Sequence, residues 1–509
     1  MTAAGWAQII VFCAVLVALV PLLGGYLARV FTYEARRPQT WKQYAASVVT
    51  FSLLSWLLLY GVLRARMPWD LAFNTSSSFV TNTNWQYYAG ETTLTGFIQM
   101  VGLAVQNFVS AAVGLIVAVV LIRGIAGRPL GNFFEDLTRA VLRVLLPISV
   151  VGALVLASQG VLQSLDFPVA SQEIIKVLGT NGGGFFNVNS AMPFENPNGF
   201  TNVLEMLAML AIPASLTYTY GRMVGSQRQG WTIFGVMFAL FAVSVVVIAL
   251  AESHATPAQQ AAGLTGANLE GKELRFGTAG SALWSVVTTA TSTGAVNAAL
   301  ESLTGIGGLV PMANMAYGES VFGGVGTGLY TMLFYVLLAV FIGGLMVGRT
   351  PEYLGKKLEA REIKLIVASL LVTPLLVLVA TGIATATDHG QASIFAAGPQ
   401  GFSESLYAYL SQANNNGSAF AGYTGLTFAD LLGGLVMLVG RFAPIVLTLA
   451  VAGALATKRV APAGLGTMRT DTPTFAVLIT GTVVIVGALT FLPALLLGPV
   501  VQGLTTQLF

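Results

Sequence analysis

Four short runs of small polar residues hold the chemistry of this chain: Thr81-Asn82-Thr83-Asn84, Thr180-Asn181-Gly182-Gly183, Thr291-Ser292-Thr293-Gly294 and Asn414-Asn415-Asn416-Gly417. None contains a charged side chain. Such residues supply backbone carbonyls, hydroxyls and amides, the groups that replace water around a cation in a selectivity filter. Glycine tolerates the dihedrals that turn successive carbonyls inward. Each run follows a moderately apolar stretch too short to span a bilayer and lies between two longer apolar stretches. That is the outline of one filter built from four repeats of one polypeptide. The fourth position reads Asn84, Gly183, Gly294 and Gly417, and the first reads Thr81, Thr180, Thr291 and Asn414, so the pore is expected to be only pseudo-fourfold.

The elements that must position these loops are membrane helices. The chain has 509 residues, 55% hydrophobic and 9% charged, with a mean hydropathy of +0.77. A soluble domain carries about 25% charged residues. The net charge of +3 is too small to point to nucleic acid. A spanning helix takes roughly 20 apolar residues, and ten candidates lie near 7–28, 47–63, 97–122, 144–162, 203–221, 231–251, 325–347, 364–384, 427–456 and 474–502. Of the 24 Lys and Arg residues, eighteen fall in the loops of one side and five in those of the other, while Arg441 falls inside a span. The richer side is cytoplasmic, which places both termini and all four polar runs outside. The fold class is therefore all-α and polytopic, with four membrane–pore–membrane units around one pore. The units cover 47–122, 144–221, 231–347 and 364–456, with an extra span at 1–30 and another at 474–502. No basic region precedes Arg29, so no cleavable signal is expected. Cys13 reads as a packing residue. His254 and His389 lie far apart, without metal spacing.

Short pore helices should precede the filter runs. Asp70, Ser171, Ser281 and Ser403 are plausible N-caps for them, and each helix would aim the partial negative charge of its C-terminus at a cation.

The strings Thr180-Asn-Gly-Gly-Gly-Phe-Phe-Asn187, Thr291-Ser-Thr-Gly-Ala-Val-Asn297, Asn414-Asn-Asn-Gly-Ser-Ala-Phe-Ala-Gly422 and Gly348-Arg-Thr-Pro-Glu-Tyr-Leu-Gly-Lys-Lys357 resemble the potassium-binding subunit of the bacterial Kdp-type potassium-transporting ATPase. The resemblance runs over essentially the whole chain, including both extra spans. It implies potassium as the bound ion and a location in the bacterial inner membrane. It also implies a P-type ATPase catalytic subunit and two small membrane subunits as partners. The chain itself contains neither a Gly-x-x-x-x-Gly-Lys-Ser/Thr loop nor an Asp-Lys-Thr-Gly string, so a non-catalytic, ion-binding role is expected.

Further features bear on the route of an ion beyond the filter. Residues 318–328 hold five glycines, each of which disfavours a continuous helix. They form either an outer loop or, the reading favoured here, an intramembrane break that begins at Gly318 and places Glu319 at membrane depth, where acids are functional by default. Arg441 lies mid-span. It either braces helices or sets a fixed positive charge below the filter that deflects cations sideways. Arg349 to Lys364 reads as a short cytoplasmic helix, capped by Thr350 and Pro351, that lies on the bilayer or docks the ATPase subunit. Gln106, with Asn107, could polarise the pore wall or bond between helices. Two rival readings stay open: an autonomous potassium or sodium transporter of the same superfamily driven by membrane potential, and a purely structural membrane subunit.

Overall fold

A computed structural model describes residues 1–420, 422–462 and 467–506. Ala421, inside the fourth filter string, lies outside them. Among the described residues, ten helices are long and apolar enough to cross a membrane. They are α1 (Ala3–Phe31), α2 (Trp41–Leu63), α4 (Gly96–Ile125), α5 (Phe133–Ser158), α7 (Gly199–Val224), α8 (Gln227–Ala251), α11 (Thr327–Met346), α12 (Ala360–Ala386), α14 (Thr427–Ala456) and α15 (Pro473–Leu504). Shorter helices lie between them: α3 (Trp69–Val80), α6 (Val169–Leu178), α9 (Gly277–Ala290), α10 (Gly305–Ala316) and α13 (Gly398–Ala413).

Burial sorts the spans into an inner and an outer ring. The most apolar stretch of α4 is 89% buried and that of α7 72%, against 22% for α2 and 28% for α5. The second span of each unit is thus the more buried: α11 reaches 61% against 50% for α8, and α14 56% against 28% for α12. Exposed Leu57, Leu58, Val151 and Leu154 face outward from the first spans, as lipid-facing side chains should. The extra helix α1 packs along α7, and α15 packs against α8 and α11.

Two boundaries differ from the sequence reading for local reasons. The span expected from 144 starts at Phe133, because Asn132 caps it by accepting the Phe134 and Glu135 N–H groups. The segment expected as a helix after Arg349 is instead an antiparallel hairpin, β1 (Glu352–Tyr353) with β2 (Lys356–Lys357). Its two central residues, Leu354 and Gly355, have φ of 47° and 76°. Positive φ at both central positions marks the primed turn that matches strand twist. Helix α12 begins only after it, at a capping box between Glu359 and Glu362. The second span of the third unit is interrupted: α10 ends at Ala316 and α11 begins at Thr327. The residues between them are buried or half-buried, so the glycine-rich stretch is an internal break and not an outer loop.

Candidate functional site

Pore helices α3, α6, α9 and α13 end at Thr81, Gly179, Thr291 and Asn414. The next residues, Asn82, Thr180, Ser292 and Asn415, have φ of 69°, 49°, 47° and 53°. Two residues on, Asn84, Gly182, Gly294 and Gly417 have φ of 58°, 88°, 88° and 94°. Between them Thr83, Asn181, Thr293 and Asn416 donate N–H to the carbonyls of Ser78, Lys176, Thr288 and Ser411 in their own pore helices, at 2.9, 2.7, 2.9 and 2.8 Å. Left-handed φ thus alternates with ordinary φ in the same way in all four loops. The shared pattern also fixes the frame. The second loop is Gly179-Thr180-Asn181-Gly182, one residue earlier than its string suggests. Gly183 stands after the fourth position, because three consecutive glycines concealed the register.

Glycine at the fourth position has a steric cause. A Cβ on Gly182 would lie 2.0 Å from the Thr293 oxygen, one on Gly294 2.2 Å from the Asn416 oxygen, and one on Gly417 1.8 Å from the Thr83 oxygen. Loops two, three, four and one therefore follow one another round a ring, each pressed on the backbone of the next. The first loop breaks the rule with Asn84. The compensation lies in loop two, where a Cβ on Gly183 would come 2.7 Å from the Asn84 Cβ. Asn84 and Gly183 are a size-matched pair.

Neutral side chains brace the ring. Asn181 Nδ2 donates to Asn82 Oδ1 at 2.6 Å, Asn82 Nδ2 to the Thr180 oxygen at 2.7 Å, and Asn415 Nδ2 to Thr83 Oγ1 at 2.9 Å. The Thr81–Thr83 and Thr291–Thr293 hydroxyl pairs meet at 2.7 Å. Pore-helix side chains form an outer cuff. Gln172 donates to the Gly183 oxygen at 2.7 Å, Trp284 Nε1 to the Ala295 oxygen at 2.8 Å, and Tyr407 meets the Ser418 hydroxyl at 2.7 Å. Sequence reasoning missed the cuff, since each partner is fixed by the packing of a helix on its loop. A cavity of about 820 Å³ opens above the ring, and Asn84, Gly182, Gly294 and Gly417 line it.

The pore-helix caps expected at Asp70, Ser171, Ser281 and Ser403 do not form. The helices start after Pro68, Pro168, Phe276 and Ala397, with no side-chain cap bond. Proline fixes φ at a helix start without a cap. The four residues lie inside helices instead. Ser403 Oγ bonds back to the Pro399 oxygen at 2.9 Å, and Asp70 accepts from the Thr427 hydroxyl at 2.5 Å.

Behind loop two stands a buried charged cluster. Lys176 is fully buried, with its ammonium 2.6 Å from Glu173 and 2.5 Å from Glu195. Burial pushes the Glu195 carboxyl upward, against the pull of the Lys176 ammonium. Lys176 also donates to Asn189 Oδ1 at 3.1 Å, and Asn189 Nδ2 donates to the Gly182 carbonyl at 2.6 Å. The only signal in the sequence is the spacing of Glu173 and Lys176 on one helical face.

Below the ring, the break between α10 and α11 is tied to the pore. Val325 N–H donates to Thr180 Oγ1 at 2.9 Å, and Gly323 N–H to the Ala290 carbonyl at 2.7 Å. Gly318 and Glu319 have φ of 66° and 62°. The Glu319 carboxyl faces Arg441, Thr327, Ser292 and Gly324. Arg441 is 4% exposed. One of its guanidinium nitrogens lies 2.8 Å from where a Cβ on Gly114 of α4 would stand, which leaves room there only for glycine. A second cavity, about 230 Å³, starts from Glu319, Asn414 and Asn415 and passes between α11, α12, α14 and α15. Its walls come from the inner helices α11 and α14 and from the outer helices α12 and α15. Gln106 lines neither cavity. Its amide donates to the Ser55 carbonyl of α2 at 3.3 Å, while its neighbour Asn107, which also lines neither cavity, accepts from the Asn84 amide at 2.6 Å. Arg349 is exposed at the foot of α11.

The family model described as potassium-transporting ATPase A subunit matches residues 18–504. Two similar relatives carry the name potassium-transporting ATPase potassium-binding subunit. That of Methylobacterium nodulans is 50% identical and that of Rhodospirillum centenum 51%, each alignment covering 99% of this chain and 98% of the relative. Among solved structures, the potassium transporter TrkH from Vibrio parahaemolyticus is similar in fold, with a TM-score of 0.55 at 15% identity, over 81% of this chain and 85% of that one.

Proposed function

The chain belongs to the potassium-transporting ATPase A subunit family, and from that premise we propose that its four loops capture potassium from outside and pass it sideways to a partner. The observation that carries this reading is the shared alternation of φ in four loops packed into one ring. A ring of carbonyls braced by neutral amides replaces the hydration shell of a monovalent cation. The pore helices add the partial negative charge of their C-termini. Fixed braces resist contraction around a smaller ion, which favours potassium over sodium.

The ion then meets two charged groups. Glu319 receives it at the base of the ring. Arg441 repels it from the direct path to the cytoplasm. The open direction is the cavity between α11, α12, α14 and α15, and the ATPase subunit that supplies the energy would dock at its outer end. Two small membrane subunits would complete the complex. Arg349, exposed beside the hairpin, is proposed to pair with an acid of the ATPase subunit.

The test is potassium-stimulated ATP hydrolysis by the purified complex, with rubidium and sodium as competitors. Gly294→Ala should abolish stimulation at ordinary potassium concentrations, because it combines a left-handed φ with a blocked Cβ. Stimulation with wild-type affinity and ion preference would sink the filter reading.

A further inference from the structure

The β1–β2 hairpin does more than connect α11 to α12. It touches the cytoplasmic end of the second span in all four units. The Lys356 ammonium donates to the Gly124 carbonyl of α4 at 2.8 Å and to the Leu455 carbonyl of α14 at 2.6 Å. The Tyr353 hydroxyl meets that of Tyr220 in α7 at 2.6 Å. Gly344 of α11 packs on Pro351, whose Cα is 3.1 Å from where a glycine Cβ would stand. One small element that reaches all four inner helices sits on the axis they surround.

The Lys356 site has the chemistry of an ion site. Lys356 is 1% exposed, and its two hydrogen bonds among the described residues go to backbone carbonyls. Both carbonyls belong to the last turn of a helix, where the partial negative charge favours a cation. Half-helix C-termini that converge in this way hold ions in transporters. Burial lowers the ammonium to about 8, so it is charged at neutral pH. Gly124 lies roughly 15 Å below Gly114 along α4, at 1.5 Å per residue, which puts Lys356 well to the cytoplasmic side of Arg441.

Building on the filter reading above, we propose that the hairpin plugs the cytoplasmic end of the pore, with the Lys356 ammonium occupying a carbonyl cation site as a tethered ion. A potassium ion that passes Arg441 finds its last site filled. The downward route stays shut while the sideways route works.

The experiment is ATP-independent rubidium efflux from proteoliposomes holding the complete complex, read beside potassium-stimulated ATP hydrolysis. Lys356→Met should leak at least about tenfold faster than wild type, since it removes a charge from a low-dielectric site. Lys356→Arg keeps the charge and should stay tight, and so should Lys42→Met, which alters an exposed lysine of α2. An assembled Lys356→Met complex as tight as wild type overturns the proposal, and an equal leak from Lys356→Arg overturns the tethered-ion part of it. If Lys356→Met fails to assemble, Tyr353→Phe decides: it frees one edge of the hairpin, a leak supports the plug, and a tight complex overturns it. Wild-type hydrolysis that ignores potassium would defeat the filter reading, while the efflux comparison would still judge the plug.

Discussion

The outer and inner ends of the pore use the same ligand in opposite ways. At the outer end, in the filter proposed above, backbone carbonyls of four loops surround the ion, and neutral amides such as Asn82 and Asn181 brace the loops. At the inner end, the last carbonyls of α4 and α14 converge, and a lysine fills the space. Carbonyls converging in a low-dielectric site attract any cation. What makes one end a mouth and the other a wall is whether the chain supplies the cation itself.

The largest effect is expected at the outer ring. Gly417→Ala would set a Cβ 1.8 Å from the Thr83 oxygen, at a φ of 94°. Left-handed backbone alone costs an L-residue roughly 1–2 kcal/mol, and the clash adds to it. The apparent potassium affinity should fall by more than about tenfold, measured by ATPase stimulation across a potassium series.

Next comes the charge between the two ends. Arg441→Gln should uncouple ATP hydrolysis from uptake while leaving external potassium binding intact. With the hairpin in place its downward leak should stay small, and adding Lys356→Met should give a leak greater than the sum of the two. Additive rubidium fluxes would show that Arg441 and the hairpin do not act in series.

The Asn84–Gly183 pair offers a sharper test of the ring. Gly183→Ala should lower potassium affinity, and Asn84→Gly in the same chain should restore only part of it, because the added Cβ would still lie 2.9 Å from the Asn84 carbonyl oxygen. Coupling between touching residues runs to about 0.5–3 kcal/mol. Strict additivity in the cycle would show that the two positions do not share one steric site.

A smaller change is expected behind loop two. Asn189→Leu frees the Gly182 carbonyl from its 2.6 Å bond. It also removes the oxygen to which Lys176 Nζ donates at 3.1 Å. Each buried hydrogen bond lost costs about 1–3 kcal/mol, so the ratio of potassium to rubidium affinity should shift by at least a few-fold in the competition assay. The smallest effect belongs to Arg349→Glu, an exposed residue whose pairings are worth about 0–1 kcal/mol. The complex should still co-purify, with weaker potassium stimulation. Full stimulation would remove Arg349 from the coupling surface.

Much of this was legible in the sequence because the bilayer leaves few options. Apolar runs long enough to span must be helices, and the Lys and Arg count oriented them. The break at 318–328 could be read from its glycines, which cannot sustain a helix. Other features escaped, three of them for instructive physical reasons. The frame of loop two was ambiguous among Gly182, Gly183 and Gly184, where any of the three could take a positive φ. The helix after Arg349 was read from a Thr-Pro start, but the φ values at Leu354 and Gly355 close a hairpin there. Gln106 and Asn107 are adjacent on one helix, and only the rotation of α4 against α2 decides that Asn107 meets the filter.

The sequence by itself determined the ten spans and the four polar loops, since each follows from local composition against a lipid solvent. Tertiary structure alone decided which loop abuts which, why Asn84 is tolerated beside Gly183, and where Lys176 and Lys356 put their charges. Both lysines look like surface residues in the chain. Each is buried, because partners distant in sequence bring carboxylates to one and helix-end carbonyls to the other. Beyond the Glu173–Lys176 spacing on one helix, local composition carries no trace of those encounters.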